Sequence, residues 1–143
     1  MAVIIERRYS QTIHPLHAVL LAGIIPWFLG AALSDTAYFL TYEIQWANFA
    51  SWFIVGGLVF AGITLVFTIT DLCRTHRRVP GIIAYTVMLL ATFVTGFFNA
   101  LIHARDAWAV MPAGLVLSVI AVIFACVATG LCFHTPHIER GTQ

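Results

Sequence analysis

The sequence contains no lysine, and charged residues make up only 9% of it. Soluble domains are about a quarter charged and about half apolar, whereas hydrophobic residues account for 61% of this chain. So little charge excludes an ordinary soluble domain, and a formal net charge of +1 gives no electrostatic basis for binding nucleic acid. The composition predicts a membrane protein without a nucleic-acid partner.

Cysteine is scarce as well, and alternating polar residues are missing from the apolar stretches. Cys73, Cys126 and Cys132 show no C-x-x-C spacing, so we predict that they are reduced and unpaired. A transmembrane β-barrel needs alternation of apolar and polar residues, which stretches such as IVGGLVFAGITLVF do not have. The remaining structure that can span a bilayer is the α-helix.

Four apolar runs are present, at about residues 14–34, 49–70, 81–103 and 109–132. Each has about the 20 residues that a helix needs to cross the bilayer core. We therefore predict a single domain over residues 1–143, an all-α integral membrane bundle of four transmembrane helices whose first partner is the lipid bilayer.

The arginines predict the orientation of this bundle. Six of them flank one set of helix ends, and a single one, Arg105, lies in the two opposite loops. Because cytoplasmic loops are enriched in arginine, we expect both termini to be cytoplasmic. The six are Arg7, Arg8, Arg74, Arg77, Arg78 and Arg140.

Small and polar residues indicate the packing faces, since lipid solvates leucine as well as a neighbouring helix does. The fourth helix has one such stripe, at intervals of three and four residues, and the second and third helices have similar ones. The stripe of the fourth helix consists of Gly114, Ser118, Ala121, Ala125, Ala128 and Cys132.

Histidines collect at the cytoplasmic side. His14 and His17 share one face at the start of the first helix, and His134 follows the fourth helix. Imidazole ligates haem and transition metals, and bundles hold such groups between facing helices. The candidate cofactor is haem b, ligated by His14 or His17 together with His134. The alternative is that these residues only cap the helix start at the interface, with no cofactor, and whether a metal binds stays open.

A second polar group is predicted at the outer side. Asp35 ends the first helix, Asn99 and His103 lie one turn apart on the third, and Asp106 is in the outer loop. Ionisable residues at membrane depth suggest function. The same residues also suit a hydrogen-bonded clasp between helices, so a ligand- or proton-binding pocket and a structural clasp both stay open.

Several segments resemble the bacterial membrane-protein family filed as domain of unknown function 2231. They are IHPLHAVLLAGIIPWFLGAALSD, WANFASWFIVGGLVFAG and FNALIHARDAWAVMP. The resemblance implies a multi-pass protein of the bacterial inner membrane, and it places weight on His14, His17, Asp35, Asn99, His103, Arg105 and Asp106. Some members resemble modules joined to, or encoded beside, periplasmic redox domains, which implies electron transfer with a partner.

Two functional hypotheses follow. The first is a haem b electron-transfer subunit that works with a redox protein or quinone. The second is a structural subunit without a cofactor that docks into a larger membrane complex through its small-residue stripes. A transporter is disfavoured because no span has a carboxylate in its middle, and no ordered set of nucleophile, base and oxyanion site predicts a catalytic residue. Whether the protein is an enzyme stays open.

Overall fold

The computed structural model describes residues 15–74, 81–105 and 107–133. In these residues it contains no strand and four long α-helices, each apolar and long enough to cross a membrane. They are α1 (Pro15–Thr41), α2 (Ile44–Arg74), α3 (Ile82–His103) and α4 (Ala113–Phe133), with a short 3₁₀ helix, η1 (Ala107–Ala109), before α4. The all-α class with four transmembrane helices is confirmed.

The helix bounds differ from the sequence prediction mainly at the first connection. The predicted runs 14–34 and 49–70 leave residues 35–48 between them as an outer loop, but α1 continues to Thr41 and α2 begins at Ile44. Tyr42 ends α1 with a left-handed backbone, φ 54°, and its amide donates to the Tyr38 carbonyl at 2.7 Å. The loop is thus a tight turn, because apolar residues on both sides of Asp35 extend the helices beyond the membrane-length runs.

The four helices pack in a ring, each against the next and α4 against α1. The helices α1 and α3 are parallel, because His17 near the start of α1 contacts Tyr85 near the start of α3 and Asp35 contacts His103 further along both helices, and they lie at opposite corners. His17 and Asp35 are eighteen residues apart on α1, or about 27 Å along its axis. We call the two ends of the bundle the His17 end and the Asp35 end.

The orientation of these ends in a cell stays a prediction. Most of the arginines that suggest cytoplasmic termini lie outside the described residues. Among the described residues, Asp71 and Arg74 are at the His17 end, whereas Glu43 and Arg105 are at the Asp35 end.

Close packing in the bundle pairs glycines with aromatic rings. Across the α1 and α2 interface Phe60 lies against Gly23 and Phe53 against Gly30. At the centre the fully buried ring of Phe28 lies against Gly57 of α2 and Gly96 of α3. These contacts are so close that a Cβ atom at any of the four glycines would overlap the facing ring.

The small-residue stripe of α4 faces into this core. Five of its members are buried, which confirms the predicted packing face, and Cys132 at its end is partly buried. The five are Gly114, Ser118, Ala121, Ala125 and Ala128. The side chains that α4 turns outward are instead larger and apolar, such as Val116, Val119 and Ile123, as expected for a surface in contact with lipid.

Candidate functional site

Four buried polar side chains meet at the Asp35 end, and we call them the polar tetrad: Asp35, Asn99, His103 and Ser118. Nε2 of His103 lies 2.8 Å from Oδ1 of Asp35. The Ser118 hydroxyl donates to the other carboxylate oxygen at 2.5 Å, and it accepts from Nδ2 of Asn99 at 2.7 Å. The tetrad therefore joins α1, α3 and α4, and it links the diagonally opposed α1 and α3.

The hydrogen bonds of His103 define the charge of this group. Nδ1 lies 3.0 Å from the backbone carbonyl of Asn99, one turn earlier, and a carbonyl can only accept. Nδ1 must therefore bear a hydrogen, and one further proton lies between Nε2 and the Asp35 carboxylate. Whether that proton belongs to the nitrogen or the oxygen, the pair is neutral as a unit. A neutral pair suits its burial, since the His103 side chain is 2% exposed and Asp35 is 0% exposed.

One acceptor in the tetrad is left over. Oδ1 of Asn99 is buried and has no hydrogen-bond partner among the described residues. Its amide nitrogen is oriented by Ser118, whose own hydrogen goes to Asp35, so flipping the amide would not satisfy both groups. Buried polar atoms are ordinarily satisfied by protein or by water. This oxygen is thus a place for a donor such as an internal water molecule.

Gly114 makes room for the His103 ring. A Cβ atom at Gly114 would lie 2.8 Å from Cε1 of His103 and 2.7 Å from Cγ1 of Val110. Both contacts are well inside van der Waals distance, so the absence of a side chain on α4 lets the ring reach Asp35.

This contact gives a matched pair of variants on one helix. We expect Gly114→Ala to lower the free energy of unfolding by about 1–3 kcal/mol, as overpacking does, because the ring must leave Asp35. Gly130→Ala is the control, since a Cβ atom there meets nothing within 4 Å, and it should leave stability unchanged or slightly raised. Equilibrium unfolding in mixed detergent micelles measures both. Equal stabilities would contradict the close fit.

A cavity of about 340 Å³ opens beside the tetrad. One wall is the first two turns of α2, and the other is formed by the end of α3 and the segment that leads to α4. His103 forms part of the wall, so the tetrad supports the cavity from behind. The lining residues are Ile44, Gln45, Ala47, Asn48, Ser51, His103, Arg105, Ala107 and Val110.

The cavity wall is about half polar and carries a positive charge. Among the described residues that line it, Arg105 is the only cation and none bears a carboxylate, and Arg105 forms no ion pair with another described residue. Gln45, Asn48 and Ser51 add polar groups. The first turn of α2, which contains no acidic residue, contributes the positive end of a helix dipole. Such a wall favours an anionic or strongly hydrogen-bonding group.

A second polar cluster lies at the His17 end and takes one residue from each helix. Nε2 of His17 and the Tyr85 hydroxyl are 2.9 Å apart, and that hydroxyl also contacts the side chains of Thr68 and Cys132. The pairs His17–Tyr85 and Asp35–His103 have the same sequence separation of 68 residues. The parallel helices α1 and α3 are therefore joined at both ends.

The candidate residues from the sequence divide between these two places. Asp35, Asn99 and His103 come together in the tetrad, His17 is in the second cluster, and His14, Asp106 and His134 lie outside the described residues. Ser118 was assigned only to a packing stripe, yet it donates to Asp35. The sequence feature that could have predicted this role was a hydroxyl on that stripe at the same depth as Asp35. No group of three metal-ligating side chains occurs within residues 15–74, 81–105 and 107–133.

The fold and the two polar ends define a small helical membrane protein with a polar cavity at one end. The chain belongs to the DUF2231 family, described as a predicted membrane protein, whose family model matches residues 13–132. No curated protein and no solved structure matches it.

Proposed function

We propose that this membrane protein binds a ligand with an anionic carboxylate or phosphate group in the cavity at the Asp35 end. The observation that carries the proposal is Arg105 in a cavity wall whose other described residues include the polar Gln45 and Asn48 but no carboxylate. A guanidinium can grip either group with two parallel hydrogen bonds. Gln45 and Asn48 supply further donors from α2.

The tetrad has a supporting role in this proposal. Both nitrogens of His103 are hydrogen-bonded within the protein, so the ring does not offer a free donor to the ligand. The ring holds the end of α3 against α1. It thereby also fixes the start of the following segment, which carries Arg105. The clasp and the pocket that the sequence left as alternatives are thus two parts of one site, in which the clasp holds one wall of the pocket.

Phosphate and succinate are suitable test ligands in neutral detergent. We expect each to raise the unfolding temperature saturably, since a ligand at about 100 times its Kd adds about 2.7 kcal/mol. Arg105→Gln should abolish the effect and Arg105→Lys should retain part of it, because lysine keeps the charge without the planar fork. Arg74→Gln, at the other end of the bundle, is the control. If neither anion exceeds chloride at equal ionic strength, the proposal fails.

The haem b hypothesis depends on residues outside the described part of the chain. Haem between two histidines needs both at one level, but the two described histidines, His17 and His103, lie at opposite ends and each has a hydrogen-bond partner. The described residues therefore do not form such a site. Ligation by His17 together with His134 would replace the hydrogen bond between His17 and Tyr85 with a bond to iron. Electron transfer with a redox protein or quinone depends on this cofactor, and a dithionite-reduced spectrum that His17→Ala abolishes would support it.

Docking into a larger complex also stays a prediction. The small-residue stripe on α4 that suggested it is buried inside the bundle. It is therefore occupied by packing with the protein's own helices, and the docking hypothesis loses the feature on which it was based.

A further inference from the structure

A second, smaller cavity adjoins the first. It has a volume of about 160 Å³ and is lined by Ser51, Val55, Ala100, His103 and Ala104. Ser51 and His103 line both cavities. The two cavities therefore lie next to each other between α2 and α3, with the larger one nearer the end of the bundle, and we call the pair the groove.

The lining changes character along this groove. At the end of the bundle it contains Arg105, Gln45 and Asn48, whereas the smaller cavity is lined mainly by Val55, Ala100 and Ala104. Val55 is eleven residues beyond the start of α2, so the groove reaches about 16 Å into the length of the bundle. Because the four helices are long enough to span a bilayer, the polar part near the helix ends suits lipid headgroups and the apolar part further along suits acyl chains.

The surface beside the groove is in contact with lipid. Large apolar side chains on α2 and α3 near the smaller cavity are about half exposed or more, and they are Trp52, Val55, Phe97, Phe98 and Leu101. A molecule in the bilayer can therefore enter the groove from the side. A soluble anion would fill only the polar part and leave the apolar part to a second occupant.

From these observations we infer that the groove binds one anionic lipid of the surrounding bilayer. Its phosphate lies against Arg105, and the upper part of one acyl chain lies along Val55, Ala100 and Ala104. The inference rests on the proposed function, because it keeps the anion site at Arg105 and names the source of the anion. Free phosphate shares the headgroup chemistry and is distinguished by the experiment.

The experiment is native mass spectrometry of the full chain, delipidated and then titrated with phosphatidylglycerol or phosphatidylcholine. We expect one phosphatidylglycerol per protein, bound in preference to phosphatidylcholine and not displaced by free glycerol phosphate. Arg105→Gln should weaken this binding about tenfold or more, as loss of a charge-assisted hydrogen bond does.

Variants of the apolar cavity test the acyl-chain contact separately. Ala100→Phe should fill the smaller cavity and weaken phosphatidylglycerol binding, while its control, Leu101→Phe, lies on the lipid face of the same helix outside both cavities and should leave binding unchanged. Ala104→Phe, one residue beyond α3, makes the same test if Ala100→Phe does not fold.

The outcomes separate the inference from the proposal beneath it. If free phosphate binds through Arg105 but Ala100→Phe and Ala104→Phe leave lipid binding unchanged, the lipid inference is overturned and the anion site remains. If both lipids bind equally with or without Arg105, the contact is only that of ordinary surrounding lipid, and the inference is wrong. If no phosphate-bearing ligand binds but succinate does, the lipid inference is overturned and the anion site remains; if neither kind of anion binds, the proposed function fails with it.

Discussion

Asp35→Ala is expected to lower the free energy of unfolding by about 3–5 kcal/mol, the range seen when one partner of a buried pair is removed. The change leaves Nε2 of His103 and the Ser118 hydroxyl without their hydrogen-bond partner inside the bundle. It also removes the link between α1 and the end of α3. Equilibrium unfolding in mixed detergent micelles measures the loss.

Asp35→Asn should behave quite differently. The side-chain amide introduced at position 35 would donate to Nε2 of a neutral His103, its carbonyl would accept from Ser118, and Nδ1 of His103 would still donate to Asn99. Every hydrogen bond is then satisfied without a charge, so the expected cost is about 1 kcal/mol or less. The control is Thr36→Ala, which removes only an exposed hydroxyl bonded to its own helix at Ala32.

The two substitutions together decide what the tetrad contributes. A stable Asp35→Asn beside an unstable Asp35→Ala indicates that hydrogen bonding, not charge, holds the helices. If Asp35→Asn is as damaging as Asp35→Ala, the ion pair itself is required and the neutral arrangement is insufficient. If Asp35→Ala is as stable as the wild type, the tetrad is not a clasp.

The stable Asp35→Asn variant is also a tool for the ligand site. It preserves the position of His103 and therefore the cavity wall, so we expect it to bind phosphate as the wild type does. Asp35→Ala releases the end of α3 and should weaken binding even at temperatures where the bundle is still folded. This difference would separate support of the cavity from direct contact with the ligand.

The sequence was sufficient to predict the four helices and the faces that they turn toward one another. Long apolar runs leave few alternatives to a transmembrane helix, and small residues repeat at helical spacing only where helices pack closely. The contact between Asp35 and His103 was also predictable, since both residues lie at the same end of their spans.

The partners of these residues were not predictable to the same degree. Ser118 looks the same as its small neighbours in a packing stripe, and its hydroxyl gains a role only when α4 faces Asp35. Tyr85 resembles an ordinary interfacial aromatic until α1 and α3 are placed in parallel. The cavity depends on the distance between α2 and α3, and no pattern of residues in the sequence predicts that distance.

One numerical signal for the second cluster was present nonetheless. His17 and Asp35 are eighteen residues apart, and so are Tyr85 and His103. In parallel helices, equal spacings of polar residues place both pairs at matching depths, five turns apart. Comparing such spacings between alternate spans is therefore a way to find paired polar groups in small bundles.

The ring of Phe28 closes the middle of the bundle between the polar ends. It is fully buried and reaches the backbone of two other helices at Gly57 and Gly96. Thr64 and Thr92, the buried threonines nearest the centre, donate to carbonyls of their own helices, so they need no water-filled path to be satisfied. This arrangement separates the tetrad from the His17 cluster by an apolar layer.

Phe28→Ala should therefore be among the most damaging single changes outside the tetrad. Comparable truncations in soluble cores cost about 3–5 kcal/mol. Here the unfolded side chain stays in lipid, so lost packing contributes more than transfer from water, and about 2–3 kcal/mol is expected. Leu29→Ala, next to it on the lipid face and 44% exposed, is the control and should cost much less.

A compensating change on α3 tests whether the ring and the glycine fit each other. Gly96→Leu alone should destabilise the bundle, because its Cβ atom would already lie 2.7 Å from Cζ of Phe28. In the Phe28→Ala background the leucine has the vacated space, so the double variant should be more stable than the sum of the two losses by about 1–3 kcal/mol. Additive losses would show that the two positions do not share that space.

The Phe28 ring is also tested as a barrier between the two polar ends. Proton leakage through liposomes that contain Phe28→Ala, and no such leakage with the double variant, would show that the ring is that barrier.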